Sequence, residues 1–240
     1  AAVLDSRMTL SLPPTITAAT AMDALTHAVE AYTCLAKNPL SDAAAQAAIK
    51  LIGRHLPLVM QQPDSRDDRL AMALAATLAG MAFSNSMTGM VHGLGHALGA
   101  VCGLPHGVAM AIMLPYGLEY NLHRNGHFTA ELLLPLVGSE KFAQTPREER
   151  AEAVIKSIRA LNQQLHEATG GRHPRCLKEA RDQAGALIVP SERLSEVART
   201  ALNDGALVFN PEGLDGDDCL MVLQNAWHGT PLDRTRVRRG

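Results

Sequence analysis

The chain has 240 residues, 47% of them hydrophobic and 19% charged, with a formal net charge of −2. That balance excludes a disordered chain, and it excludes a basic nucleic-acid-binding surface or an acidic tail as the main feature, while the length suffices for a full core. Aromatic residues make up only 3%, too few for an immunoglobulin-like sandwich, a base-stacking surface or a carbohydrate site, and the alanine, leucine and methionine that replace them are strong helix formers.

The opening Ala-Ala-Val-Leu-Asp looks like the end of a strand, and Pro13–Pro14 closes that segment. The chain starts on Ala1 rather than a methionine, and we expect its beginning to be missing. Residues 18–34 are predicted helical, with Thr15 or Thr17 as the hydroxyl cap. Asn38-Pro39 breaks this helix, and Ser41 caps a second one over residues 43–60, where Ile49, Leu51 and Ile52 form an apolar stripe. Pro63-Asp64-Ser65 opens a third over 66–83. Its Ala-Met-Ala-Leu-Ala-Ala stretch predicts a buried helix. Ser84-Asn85-Ser86 interrupts the pattern, and a fourth helix covers 87–101. After Gly103-Leu104-Pro105 a fifth runs over 106–120, followed by a polar loop at 121–126. Residues 146–169 form a long amphipathic helix with Val154, Ile155, Ile158 and Leu161 on its apolar face, stopped by Gly170-Gly171. Shorter helices follow at 192–203 and 217–227, and the basic tail 233–240 is expected to fray. There is no convincing repeat, low-complexity tract or interior linker. The expected fold class is all-α, one helical domain.

Ionisable groups interrupt these apolar helices. Asp23 and His27 stand at i, i+4, which places both side chains on one helix face. His92 and His96 repeat that spacing in Val-His-Gly-Leu-Gly-His, and His106 follows a turn at a helix start. An Asp/His pair at this spacing is commonly a solvated helix pair, and a lone histidine on an apolar helix is commonly a hydrogen-bonded core residue. His92 and His96 also look like half of an HExxH zinc site, but no glutamate follows His92, which argues against a zinc peptidase. Convergence shifts the balance. Four polar groups are costly to bury separately, and one divalent metal satisfies them together. A carboxylate and imidazoles without thiolate suit Fe²⁺ or Zn²⁺ rather than calcium.

The run Met22-Asp23-Ala24-Leu25-Thr26-His27-Ala28-Val29-Glu30-Ala31-Tyr32 resembles the first metal motif of iron-containing (group III) alcohol dehydrogenases. Met90-Val91-His92-Gly93-Leu94-Gly95-His96-Ala97-Leu98-Gly99, followed by Pro105-His106-Gly107-Val108-Ala109, resembles the second. Leu114-Pro115-Tyr116, Asn210-Pro211 and Asn225-Ala226-Trp227-His228-Gly229 are similar to the same family, so the resemblance spans nearly the whole chain. It implies that Asp23, His27, His92 and His106 are metal ligands. It implies that His96 is a non-ligand catalytic histidine beside the nicotinamide and the substrate. A metal acting as Lewis acid on the alcohol oxygen, and hydride transfer between a small or primary alcohol or aldehyde and NAD or NADP, also follow from it. The family has an α/β dinucleotide-binding domain followed by a helical metal domain, shared in outline with dehydroquinate synthase-like enzymes. This chain resembles the second alone, with residues 1–14 as a remnant of the interdomain segment. It contains no Gly-Gly-Gly-Ser or GxGxxG phosphate loop. Glu212 stands where many relatives carry arginine.

A proton-carrying role suits His96, since imidazole titrates near neutral pH; the alternative is that His96 orients His92. Glu30 is expected to be a surface group or a support to a ligand, not a fifth ligand. His55, His123, His127, His166, His173 and His228 are expected on solvated segments, and Cys102 as a small buried apolar residue. Met81, Met87, Met90, Met110 and Met113 suit helical core packing or an adaptable pocket. The four cysteines show no CxxC spacing, which fits a reducing cytoplasm. No apolar run reaches membrane length and no signal segment opens the chain. We expect a homo-oligomer with no nucleic-acid or membrane partner. Two other readings stay open: a metal-dependent lyase or hydrolase on the same scaffold, and a non-catalytic helical module.

Overall fold

Proline sets the start of the first helix. Its ring fixes φ and it lacks the N–H that a helix start leaves orphaned, and α1 (Pro14–Thr33) begins directly after Pro13 with no side-chain cap. Asn38-Pro39 then starts a helix rather than only ending one. The Asn38 side chain accepts from the Leu40 and Ser41 amides, Ser41 Oγ accepts from the Asn38 amide, and α2 (Pro39–Gln61) follows this capping box. Ser65 accepts from the Asp68 amide to cap α3 (Arg66–Ser86). In the computed structural model, which describes residues 2–237, six further α-helices follow: α4 (Met90–Cys102), α5 (His106–Glu131), α6 (Leu133–Gln144), α7 (Arg150–Ala168), α8 (Leu194–Ala201) and α9 (Gly216–His228). Among the described residues there is no sheet, only an isolated antiparallel bridge between Arg181 and Leu187. The all-helical expectation holds.

The core forms where α1, α4 and α5 meet. α1 packs against α2, α3 and α5, while α5 also packs against α4 and α7, and α8 closes on α4 and α9. Met22, Leu25, Leu94, Leu98, Met110, Ile112, Tyr116 and Tyr120 are fully buried there. Glycine lets α1 and α5 come close. A Cβ on Gly107 would lie 2.4 Å from the Ala19 carbonyl oxygen, so only glycine admits this approach. The other tight point is the α4–α5 turn, where Gly103 takes φ +74° and closes α4.

Several local expectations are corrected. Neither Thr15 nor Thr17 caps α1, and Ser41 supports the α2 cap that Asn38 provides. Residues 2–5 form no strand; Ala1 lies outside the described residues. α3 runs through Ser84-Asn85-Ser86, and the break comes at Met87, with φ +107°. Only one face of α3 is buried, through Ala71, Ala75, Ala79 and Ala82, whereas Leu74 and Met81 are exposed. Met87 is exposed as well, so of the five methionines only Met90, Met110 and Met113 are core. α5 continues past Tyr120 through the expected polar loop to Glu131, bent at Asn125, and α6 was not anticipated. The tail docks as far as it is described: the Leu232 amide donates to Glu119, Arg234 pairs with Glu152, and Val237 is buried. Residues 238–240 lie outside the described residues. No single helix among the described residues is long and apolar enough to cross a membrane.

Candidate metal centre

Three helices bring the five predicted side chains together. α1 carries Asp23 and His27 one turn apart, α4 carries His92 and His96 one turn apart, and His106 is the first residue of α5. Asp23 Oδ1 is the focus. It lies 3.1 Å from His106 Nε2, 3.6 Å from His27 Nδ1 and 3.9 Å from His92 Nε2. Asp23, His27 and His92 each offer one ligand atom, all within 4.8 Å of one another, a grouping able to hold a metal ion. The rings crowd round this point, His92 at 4.3 Å from His27 and 5.6 Å from His106 between centroids. His27 is backed by Phe83, stacked at 4.3 Å.

Two atoms at the focus are chemically incomplete. Asp23 Oδ1 and His92 Nε2 are buried, and neither makes a hydrogen bond of good geometry, although His106 Nε2 approaches Oδ1 to 3.1 Å. Buried polar atoms normally form such a bond, because leaving an atom of this kind unpaired costs about 1–3 kcal/mol. Here an acceptor oxygen and a ring nitrogen point into the same small volume.

The electrostatics match that arrangement. Burial pushes the Asp23 carboxyl up, but His106, His27 and His92 together outweigh it and hold it below the usual carboxylate value. Burial and the neighbouring His92 push His27 down to about 4, against the pull of Asp23 and Glu30. Asp23 raises His106, against partial burial. His27 is therefore neutral near pH 7, the form that offers a lone pair.

Residues beyond the five complete the site. Glu30, 6% exposed, sits on α1 beside His27 and reaches across to α4. Its carboxylate accepts from the Val91 amide at 2.8 Å, the His92 amide at 3.3 Å and His92 Nδ1 at 2.5 Å. Thus Glu30, not His96, orients His92. It is no surface group, and its i+3 spacing from His27 was the available signal. His96 instead bonds through Nδ1 to Asp204 Oδ2 at 2.8 Å and keeps an exposed ring stacked 5.3 Å from His106. Asp204 was missed, because 108 positions separate it from His96 and no local pattern links them. Asn210 was noticed only as part of a motif. Its Oδ1 accepts from the Met90 amide and from Asn121 Nδ2.

The remaining histidines are not all solvated. His173 is 1% exposed and bonds Asn162; His166 bonds the His173 carbonyl. His123 is exposed as expected but lies in a helix rather than a loop, and it pairs with buried Glu212, which also pairs with Arg124. His55 pairs with Asp68. His127 and His228 are exposed as expected. Cys102 is half-buried rather than buried.

Comparison with known proteins places this geometry. The sequence model described as "Fe-containing alcohol dehydrogenase family, C-terminal" matches residues 17–227. The NADPH-dependent butanol dehydrogenase of Clostridium saccharobutylicum is 32% identical over 232 residues, covering 97% of this chain and 56% of that protein. A solved 1,3-propanediol oxidoreductase superposes with a TM-score of 0.83 at 35% identity, over 92% of this chain and 54% of that one. An alcohol dehydrogenase from Oenococcus oeni superposes with a TM-score of 0.81 at 33% identity, again over 92% and 54%. The chain thus spans about half the length of these relatives.

Proposed function

The chain belongs to the Fe-containing alcohol dehydrogenase family, and on that footing we propose that it is the metal-holding half of an oxidoreductase that moves hydride between NAD or NADP and a small alcohol or aldehyde. One observation carries the reading. Two buried atoms without a well-formed hydrogen bond, Asp23 Oδ1 and His92 Nε2, meet inside a set of donors drawn from three helices. Asp23, His27, His92 and His106 would hold the ion; one carboxylate and three imidazoles suit Fe²⁺ or Zn²⁺. When bound, such an ion supplies Lewis acidity toward an alcohol or carbonyl oxygen.

The chain's own residues do the rest. Asp23 contributes the negative charge that balances a divalent cation. His27 is neutral at working pH and needs no deprotonation to bind. His96 stands outside the donor set: Asp204 occupies its Nδ1, so its exposed ring holds or moves a proton at Nε2. The nicotinamide nucleotide would be bound by the α/β dinucleotide-binding domain that the family resemblance implies. By its name the butanol dehydrogenase relative uses NADPH, which supports a nicotinamide cofactor.

The test is metal analysis of protein purified without oxygen. Wild-type chain should carry about one Fe or Zn per molecule. His92→Ala and His106→Ala should each lose it. Unchanged stoichiometric metal in both variants would overturn the proposal.

A further inference from the structure

We infer that Glu30 is a positioning residue that fixes the ring tautomer of His92, presenting its Nε2 lone pair to the ion. The inference rests on the functional reading above and adds to it the device that readies one donor before any metal arrives.

A carboxylate bonded to N–H groups acts as acceptor, so the nitrogen facing it must carry the hydrogen. Glu30 Oε2 lies 2.5 Å from His92 Nδ1, and that nitrogen is therefore the donor. The neutral ring has one hydrogen, which leaves Nε2 bare. Nε2 is the atom left without a partner beside Asp23 Oδ1.

Glu30 can do this because it is itself fixed. Its Oε1 accepts from the Val91 amide and its Oε2 also accepts from the His92 amide. These are among the free N–H groups at the start of α4, where a negative charge is favoured. Gly89 opens the approach: a Cβ there would lie 3.1 Å from Glu30 Oε1 and 2.9 Å from Asn210 Oδ1. One side chain thus caps α4 and sets the ring of the α4 ligand, and both carboxylate oxygens are in use. A glutamine at position 30 has one acceptor oxygen for three donors. It must leave either the α4 amide or the His92 ring facing an NH₂ group.

A merely structural role would be limited to the cap, and Asn210 provides the control. Its Oδ1 accepts from the neighbouring Met90 amide and makes no bond to His92. We would titrate Zn²⁺ calorimetrically into metal-free wild-type chain, Glu30→Gln and Asn210→Ala. In parallel, ¹⁵N spectra of metal-free wild type would read the His92 tautomer. Expected are a bare Nε2 in wild type, a loss of Zn²⁺ affinity of about 10–100-fold in Glu30→Gln, and a change below about threefold in Asn210→Ala despite a lower melting temperature. Zn²⁺ affinity in Glu30→Gln equal to wild type overturns the role of Glu30, as does a hydrogen on Nε2 in metal-free wild type. The spectrum decides even where the variant does not fold. A wild-type chain that binds no Zn²⁺ overturns the functional reading, a result distinct from equal binding by both.

Discussion

His173 follows Gly170-Gly171-Arg172, a stretch that looks like a surface turn, yet it is 1% exposed. Burial, aided by neighbouring His166, pushes its imidazole down to about 4. The sign of the consequence is fixed by linkage. Below its ordinary value of 6.5 the unfolded chain binds a proton that the folded chain refuses, so stability from neutral His173 is complete above pH 6.5. It is lost as pH falls toward 4, and no further loss follows below that, a total of up to about 3 kcal/mol. His173→Gln removes this titration. Urea unfolding should show wild type losing more stability than His173→Gln between pH 7 and pH 4; parallel profiles would contradict the assignment. The signal that hid His173 is general at this scale. Asp23 with His27, and His92 with His96, are legible because helical spacing places them together. The Glu30–His92 and Asp204–His96 bonds join segments 62 and 108 positions apart; spacing places Glu30 near His27 but does not name His92 as its partner, and nothing local points to Asp204.

At the scale of elements, the contact between α1 and α5 decides where His106 stands. The Cβ of an alanine at position 107 would meet the Ala19 carbonyl oxygen at 2.4 Å and its carbon at 2.7 Å. Those are backbone atoms, so the helices must separate, at a cost of about 1–3 kcal/mol. His106 moves with the start of α5. Gly80 offers the contrast, since it is helical and nothing lies within 4 Å of a Cβ there. Gly80→Ala should stabilise by about 0.5–1 kcal/mol through backbone entropy. Denaturant unfolding of the two variants should therefore give opposite signs, and a neutral Gly107→Ala would show that the close approach is not needed. Helix existence was legible from apolar spacing, but α5 outran its expected end at Tyr120. Asn121, His123 and Asn125 look like loop residues by propensity. Asn121 and His123 are held in the helix by distant partners, Asn210 and Glu212, whereas Asn125, bonded to the Thr33 carbonyl, leaves helical φ/ψ and bends α5. Tertiary hydrogen bonds outweighed a local preference of well under 1 kcal/mol per residue. The exposure of Leu74 and Met81 on α3 escaped for the opposite reason, because an alanine-rich stretch has no polar face to reveal which side is out.

Across the whole molecule, the candidate centre draws its donors from three helices: Asp23 and His27 lie on α1, His92 on α4 and His106 on α5. The composition that predicted an all-helical chain says nothing of this cross-link, which depends on residues up to 83 positions apart meeting in space. An ion bound there stabilises the folded chain alone, because the unfolded chain does not hold the four donors together. At a free metal concentration 100 times its dissociation constant the gain is about 2.7 kcal/mol. For a chain of this size each kcal/mol moves the melting temperature by about 2–4 °C, so Zn²⁺-loaded protein should melt roughly 5–10 °C above chelator-treated protein. The helical signal should be the same in both at 25 °C, since the caps of α2, α3 and α9 and the core around Tyr116 and Tyr120 do not involve the four donors. His92→Ala should melt at one temperature with or without Zn²⁺. Calorimetry that found the same metal-dependent rise in wild type and His92→Ala would place the stabilising ion elsewhere and remove the centre from between α1, α4 and α5.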